Sequence, residues 1–101
     1  MSNKTPEHPL SGIKVVEVGI YMAGPFCGMQ LADLGADVIK VENPDGGDTA
    51  RDSAPFLDGE SSPFIRLNRN KRSLAVNLKT PEGKELYREL VRGADIVVEN
   101  L

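Results

Sequence analysis

The densest run of chemically capable side chains is LNRNKRS, Leu67 to Ser73, in which Arg69, Lys71 and Arg72 alternate with Asn68 and Asn70, while Arg66 lies just ahead of it. Guanidinium and ammonium groups are the usual phosphate clamps, and asparagine amides add directional hydrogen bonds. The pattern points to a phosphate-bearing ligand, against the plainer reading of a solvated charge run. A second candidate is the turn IYMAGP, which delivers Ala23 and Gly24 to a helix start whose free N–H groups and dipole can receive an anion. Small residues there would equally serve only to let the helix pack closely. Gly19 and Gly24 are too far apart for GxGxxG, so the dinucleotide fingerprint is absent. Glu42 nevertheless stands about 20 residues beyond, where NAD-binding folds place a ribose-holding acid. A nicotinamide-dependent oxidoreductase is that feature's functional reading, and an exposed strand-end carboxylate the alternative.

Other chemistries are excluded by count. Cys27 is the only cysteine and His8 the only histidine, so the chain has neither an intramolecular disulfide, a thiolate–imidazole zinc set, nor a Ser-His-Asp or Cys-His constellation. Cys27 lies on the apolar stripe of the first predicted helix and reads as core packing, with Met22 and Met29 as gap-fillers. The carboxylates Asp45, Asp48, Asp58 and Glu60 sit in a glycine-rich stretch and read as turn formers. Twelve basic and 15 acidic residues leave a net charge of −3, which opposes nucleic-acid binding. No apolar run approaches the ~20 residues of a membrane helix, and residues 1–9 are too polar for a secretory signal. The expectation is a cytoplasmic chain with a flexible leader over 1–9.

The elements that must position these residues follow from local patterning. IKVVEV, residues 13–18, predicts a strand; a helix is expected over 25–34, with Pro25 at its start, an apolar stripe of Phe26, Cys27, Leu31 and Leu34, and Gly35 as its end. ADVIKVE, residues 36–42, predicts a second strand, parallel to the first. Residues 43–63 read as a loop, with one helical turn or a strand end over 64–67. SLAVNL, 73–78, predicts a third strand, and Thr80-Pro81-Glu82 a helix start, with Leu86, Tyr87, Leu90 and Val91 as the buried face and Gly93 as the stop. ADIVVE, 94–99, is a fourth strand. The fold class is α/β with a parallel sheet. Because two helices cannot cover both faces of four such strands, the chain is expected to be part of a larger protein or completed by another chain.

Taken together, PLSGIKVVEVG, MAGPFCGMQLADLGADVIKVENPDGGD and LNRNKRSLAVNLKTPEGKELYRELVRGADIVVEN resemble the amino-terminal segment of the family III CoA-transferases, the formyl-CoA and L-carnitine CoA-transferase family. The resemblance spans Pro9 to Leu101. It implies that residues 10–101 are the amino-terminal part of a Rossmann-like large domain, within a longer enzyme that forms an interlocked homodimer and transfers CoA from an acyl-CoA donor to a carboxylic acid acceptor. It also implies an aspartate nucleophile beyond Leu101, so that the 101 residues alone would be inactive, and coenzyme A with no metal as the cofactor. By matching motifs it places Met22, Ala23, Asn43, Asn70, Lys71, Arg72, Asn100 and Leu101 around CoA. Acyl-CoA racemases share this fold and parts of these motifs, so racemisation of a 2-methylacyl-CoA is the nearest alternative activity. A non-catalytic nucleotide-binding or assembly module is the alternative from another class.

Overall fold

The computed structural model describes His8–Leu101. Its elements are β1 (Lys14–Val18), α1 (Ala23–Asp33), β2 (Asp37–Glu42), a 3-10 turn (Thr49–Asp52), β3 (Phe56–Leu57), β4 (Glu60–Ser61), α2 (Ser62–Leu67), β5 (Lys71–Ala75), α3 (Pro81–Arg92) and β6 (Ile96–Glu99). Four strands form one parallel sheet in the order β5-β2-β1-β6, and β3 and β4 make a separate antiparallel hairpin. Both helix starts that the hydroxyl-plus-proline pattern can mark are capped: Thr80 Oγ1 accepts from Gly83 N–H at 3.0 Å, and Ser61 Oγ accepts from Phe64 N–H at 3.2 Å. Gly35, at φ 103°, closes α1 in the left-handed conformation glycine tolerates best.

Strand side chains alternate between faces, which divides the sheet chemically. On the α3 side, Val16, Val18, Val41 and Val76 are buried against Leu74, Leu78, Tyr87, Leu90 and Val91. On the α1 side, Val15 and Val38, near the amino ends of their strands, and Val98, level with Glu17, meet Ala32 and Ala36. Further along that same face the apolar residues give way to Glu17 on β1 and Lys40 and Glu42 on β2, and on β5 the face carries Lys71, level with Val38, and Ser73, level with Lys40.

These charges are paired inside the protein. Lys40 Nζ lies 2.7 Å from Glu17 Oε2 and 2.9 Å from Asp48 Oδ2, and Lys71 Nζ lies 2.6 Å from Glu17 Oε1. All four side chains are 2% exposed or less, so two acids and two lysines form a neutral buried quartet. Desolvation of this kind is tolerated only with close opposite charge and further hydrogen bonds. Beside it, Glu42 accepts from Arg51 Nε and Nη2 at 2.8 and 2.7 Å, from Asp48 N–H at 3.0 Å, and from the Ser73 hydroxyl. Burial opposes ionisation of Glu42, but these donors outweigh it and hold its carboxyl at about 2, against an ordinary 4.5. Arg51 also stacks 3.9 Å above the Phe64 ring, so the 3-10 turn and α2 are tied to β2 through one guanidinium.

Several sequence expectations need correction. The third strand is Lys71–Ala75 rather than 73–78. The segment expected as loop carries the 3-10 turn and the hairpin, because Asp48 caps the turn through Ala50 N–H at 2.9 Å. Asp48 is therefore a buried ionic partner as well as a turn former. Glu42 is neither an exposed carboxylate nor a free ribose ligand, since its oxygens are taken by Arg51, Ser73 and Asp48. On α1, only Leu31 of the expected stripe packs against the core: Phe26, Cys27 and Leu34 are exposed, and the buried face is Gly24, Pro25, Gly28, Met29 and Ala32. Met22 is 59% exposed, not a gap-filler, and Leu86 is exposed on α3.

The reason for the small-residue face is direct. A Cβ on Gly28 would fall well inside contact distance of Glu17 Oε1, and that carboxylate is fixed by two lysines. Gly28→Ala is expected to destabilise the protein by about 3 kcal/mol, as overpacking against an immobile buried pair, measured as a fall in the urea midpoint; an unchanged midpoint would contradict the packing described here. A second expectation concerns acid. Because the folded pKa of Glu42 lies below its unfolded value, its contribution is complete above pH 4.5 and disappears as pH falls toward 2. Glu42→Gln should flatten the loss of stability across that window by up to one proton's worth, about 1.4 kcal/mol per pH unit, with unfolding titrations from pH 6 to 2 as the check.

Candidate functional site at the carboxyl ends of the strands

In the order β5-β2-β1-β6 the chain first builds outward from β1 to β2 and β5, then returns to place β6 on the other side of β1. The topological switch therefore falls between β1 and β6, and in open parallel sheets the ligand crevice lies outside the carboxyl ends of the strands at that point. Here the switch is occupied by the bend Gly19–Met22 and by Asn100. The Asn100 amide pairs with a single residue on both sides, accepting from Ile20 N–H at 2.9 Å and donating to Ile20 C=O at 3.0 Å. Its oxygen leaves no room for side chains nearby: a Cβ on Gly24 would come within 2.6 Å of it, and one on Gly19 within 2.8 Å. The glycines of this turn thus have a steric role, the close approach of α1 to the end of β6.

Two clefts open beside the bend. The first, about 510 Å³, lies across the ends of β1, β2 and β5. Val18, Gly19 and Ile20 form one side, Asn43, Asp45, Gly47 and Thr49 another, and Val76, Asn77, Leu78 and Lys79 a third, with Leu101 at the rim. The second, about 570 Å³, lies between the start of α1 and α2 and is lined by Met22, Ala23, Phe26, Pro63, Arg66 and Leu67. No side chain caps α1, and its first turn carries no acid.

The eight residues expected around a ligand distribute unevenly. Asn43 and Leu101 line the first cleft, Met22 and Ala23 the second, and Asn100 sits behind the bend that separates them. The cationic run does not join them as a group. Asn70 and Arg69 both reach Asp33 at the end of α1, with Asn70 Nδ2 at 2.9 Å and Arg69 Nη2 at 2.7 Å. Arg72 forks onto Asp37 at 3.1 and 2.7 Å, at the start of β2. Those contacts lie toward the amino ends of the strands, away from the crevice. The Arg69 hydrogen bond, partly offset by burial, holds the Asp33 carboxyl below the usual carboxylate range.

Lys71 is different again. It begins β5, level with Val38, yet its ammonium extends to the start of α1, donating to Pro25 C=O at 2.8 Å and to Asn68 Oδ1 at 2.7 Å. Burial lowers its pKa, and the Glu17 carboxylate opposes that shift.

Sequence reasoning missed the cation that does reach the first cleft, Lys79, and the neighbouring Val76, Asn77 and Leu78. Lys79 makes no ion pair with a described carboxylate. The signal was available in the rule that ligands bind after strand ends, but a third strand drawn to Leu78 hides it. With the strand ending at Ala75, residues 76–79 become its outgoing loop. Among the described residues, no group of three or more His, Cys, Asp or Glu is placed to hold a metal ion, and no helix is long and apolar enough to cross a membrane.

Comparison with known proteins places this architecture. The chain is 53% identical to a succinate–glutarate CoA-transferase of Agrobacterium fabrum over 99% of its own length and 26% of the relative's. It is 48% identical to a formyl-CoA:oxalate CoA-transferase of Escherichia coli over 91% of its length and 22% of that protein's. Among solved structures, a CAIB/BAIF family protein from Brucella suis superposes with a TM-score of 0.86 at 47% identity, covering 93% of this chain and 26% of that one. The chain thus spans about a quarter of the length of the relatives it matches. The family model described as CoA-transferase family III matches residues 10–101, all four sheet strands and both clefts included, and the chain belongs to that family.

Proposed function

We propose that the protein carrying this chain transfers CoA from an acyl-CoA donor to a carboxylic acid acceptor, and that this segment supplies part of the CoA site. The observation that carries the reading is the 510 Å³ cleft at the carboxyl ends of β1, β2 and β5, beside the topological switch. Val76 and Leu78 offer apolar surface for a base, Asn43 and Asn77 hydrogen-bonding edges, and Lys79 an ammonium unpaired among the described residues for phosphate. Leu101 closes the rim. Met22 and Ala23, across the bend held by Asn100, face the second cleft and suit the thioester-bearing arm. Asn70, Lys71 and Arg72 enter the reading from behind: Lys71 braces the start of α1, and a phosphate on Asn70 or Arg72 would have to displace Asp33 or Asp37.

The chemistry in this reading is covalent catalysis by a carboxylate nucleophile. An aspartate expected after Leu101 attacks the thioester carbonyl, the C–S bond breaks and CoA leaves as thiolate. The thiolate then attacks the aspartyl carbonyl of the mixed anhydride, releasing the donor acid and leaving CoA on the enzyme as a thioester. The acceptor carboxylate repeats the sequence in reverse. The isolated 101 residues would therefore bind without turnover. An interlocked homodimer accompanies this reading on the strength of the family resemblance.

Calorimetric titration of the full-length protein with CoA tests it. Binding is expected, weakened roughly 10–150-fold in Lys79→Ala by loss of a charged hydrogen bond and little changed in Arg72→Ala. Absence of CoA binding by the unaltered protein would overturn the function; loss in Arg72→Ala with none in Lys79→Ala would return the phosphate site to the cationic run.

A further inference from the structure

Four backbone polar groups where the chain turns from β1 into α1 are gripped by side chains from elsewhere. Lys40 Nζ donates to Gly19 C=O at 3.1 Å, Asn100 takes both groups of Ile20, and Asp48 Oδ1 accepts from Tyr21 N–H at 2.9 Å. The same Asp48 oxygen accepts from Ala50 N–H at 2.9 Å, so one atom joins the bend after β1 to the loop after β2. Its other oxygen faces the Lys40 ammonium at 2.9 Å, and that ammonium is seated in turn on Glu17. Between these grips Tyr21 adopts φ 67°, a left-handed conformation that a non-glycine side chain occupies only when its surroundings impose it.

From this geometry we infer that Asp48 and Lys40 are positioning residues for the ligand site. Asp48, locked by Lys40, fixes the strained Tyr21 peptide and thereby sets where Met22 and Ala23 stand relative to the cleft that Asn43 and Thr49 wall. The first cleft has walls on two segments, Gly19–Ile20 and Asn43–Thr49, that share no backbone hydrogen bond with each other beyond the sheet. Asp48 is the side chain that bridges them: it lies on the lining of the first cleft with only 1% of its surface exposed, its oxygens turned to Tyr21, Ala50 and Lys40. Without its Oδ1, Tyr21 has no reason to remain at positive φ, and relaxation of that residue would rotate the start of α1 against the cleft. The charge on Asp48 is secured twice over: burial opposes it, while the Ala50 and Tyr21 amides and Lys40 together keep the carboxyl below its usual range.

The inference rests on the CoA reading above, and its test separates the two. The full-length protein is compared with Asp48→Ala, Asp48→Asn, Lys40→Met and Val15→Ala, the last a core truncation on the same sheet that touches neither bend nor cleft. Two quantities are read well below each variant's unfolding temperature: the Kd for CoA per folded molecule, and amide hydrogen exchange in the peptide spanning residues 19–26. Asp48→Ala and Lys40→Met are expected to weaken CoA binding about 10- to 100-fold, the scale of a misplacement of about 1 Å in a bound ligand, and to accelerate exchange over residues 19–26. Val15→Ala is expected to lower stability with neither effect. Asp48→Asn, which keeps Oδ1 for Tyr21 but turns an amide toward Lys40, should fall between, and it serves as the test if the alanine variant does not fold. Exchange and affinity in the Asp48 and Lys40 variants matching Val15→Ala would overturn the inference. Unaltered protein that binds no CoA would sink the CoA reading instead, and the exchange measurement would still decide whether Asp48 and Lys40 set the bend.

Discussion

The structure depends on two acids and two lysines confined to one face of a parallel sheet. Glu17, Lys40, Lys71 and Asp48 come from β1, β2, β5 and the loop after β2, and each has its charge answered within 3 Å. A parallel sheet is ordinarily packed on both faces by aliphatic side chains, so four buried charges carry a desolvation cost that an apolar packing would avoid. What the arrangement provides is direction. Aliphatic contacts tolerate sliding, whereas an ammonium shared between two carboxylates and a carbonyl has one position. The consequence propagates outward: α1 must present glycine to the quartet, the bend must follow the groups that Lys40 and Asp48 offer, and the crevice inherits its shape from the bend.

That constraint also explains which parts of the fold were legible in the sequence. The β-branched runs around Val15–Val18 and Ile96–Val98 read as strands, and Thr80-Pro81 marked α3, because those features depend on local sterics and capping. The face of α1 was not legible in the same way. Apolar periodicity assumes an apolar partner surface, whereas here only the Ala32 end of the helix meets valines, and Gly28 faces Glu17 and Lys71. The helix therefore turns Gly24, Gly28, Met29 and Ala32 inward and leaves Phe26, Cys27 and Leu34 outside. The clue was present in Glu17 and Lys40, the charged residues punctuating IKVVEV and DVIKVE between apolar neighbours. A charge at such a position in a parallel strand must find a partner, and Lys71 and Asp48 were the residues able to supply one.

The cationic run shows a related limit. Composition marked Asn70, Lys71 and Arg72 as a phosphate clamp, but composition carries no information about which end of a strand a residue occupies. Since β5 begins at Lys71, the run lies at the entry to the strand, where Asp33 and Asp37 meet it, and Lys71 alone extends its side chain to the start of α1. The residues that leave the strand, Val76 to Lys79, face the crevice. Met22, Ala23, Asn43, Asn100 and Leu101, drawn from the segments that follow β1, β2 and β6, lie at or beside it for the same topological reason.

The most direct measurement is a crystal structure of the full-length protein with CoA bound. The account requires the nucleotide in the cleft between Asn43 and Lys79, the pantetheine arm leaving past Met22 and Ala23, and the contacts of Lys40 with Glu17, Asp48 and Gly19 unchanged. Phosphates seated on Arg69 or Arg72 at the amino ends of the strands, or an Asp48 side chain turned away from Tyr21 while CoA is bound, would contradict it.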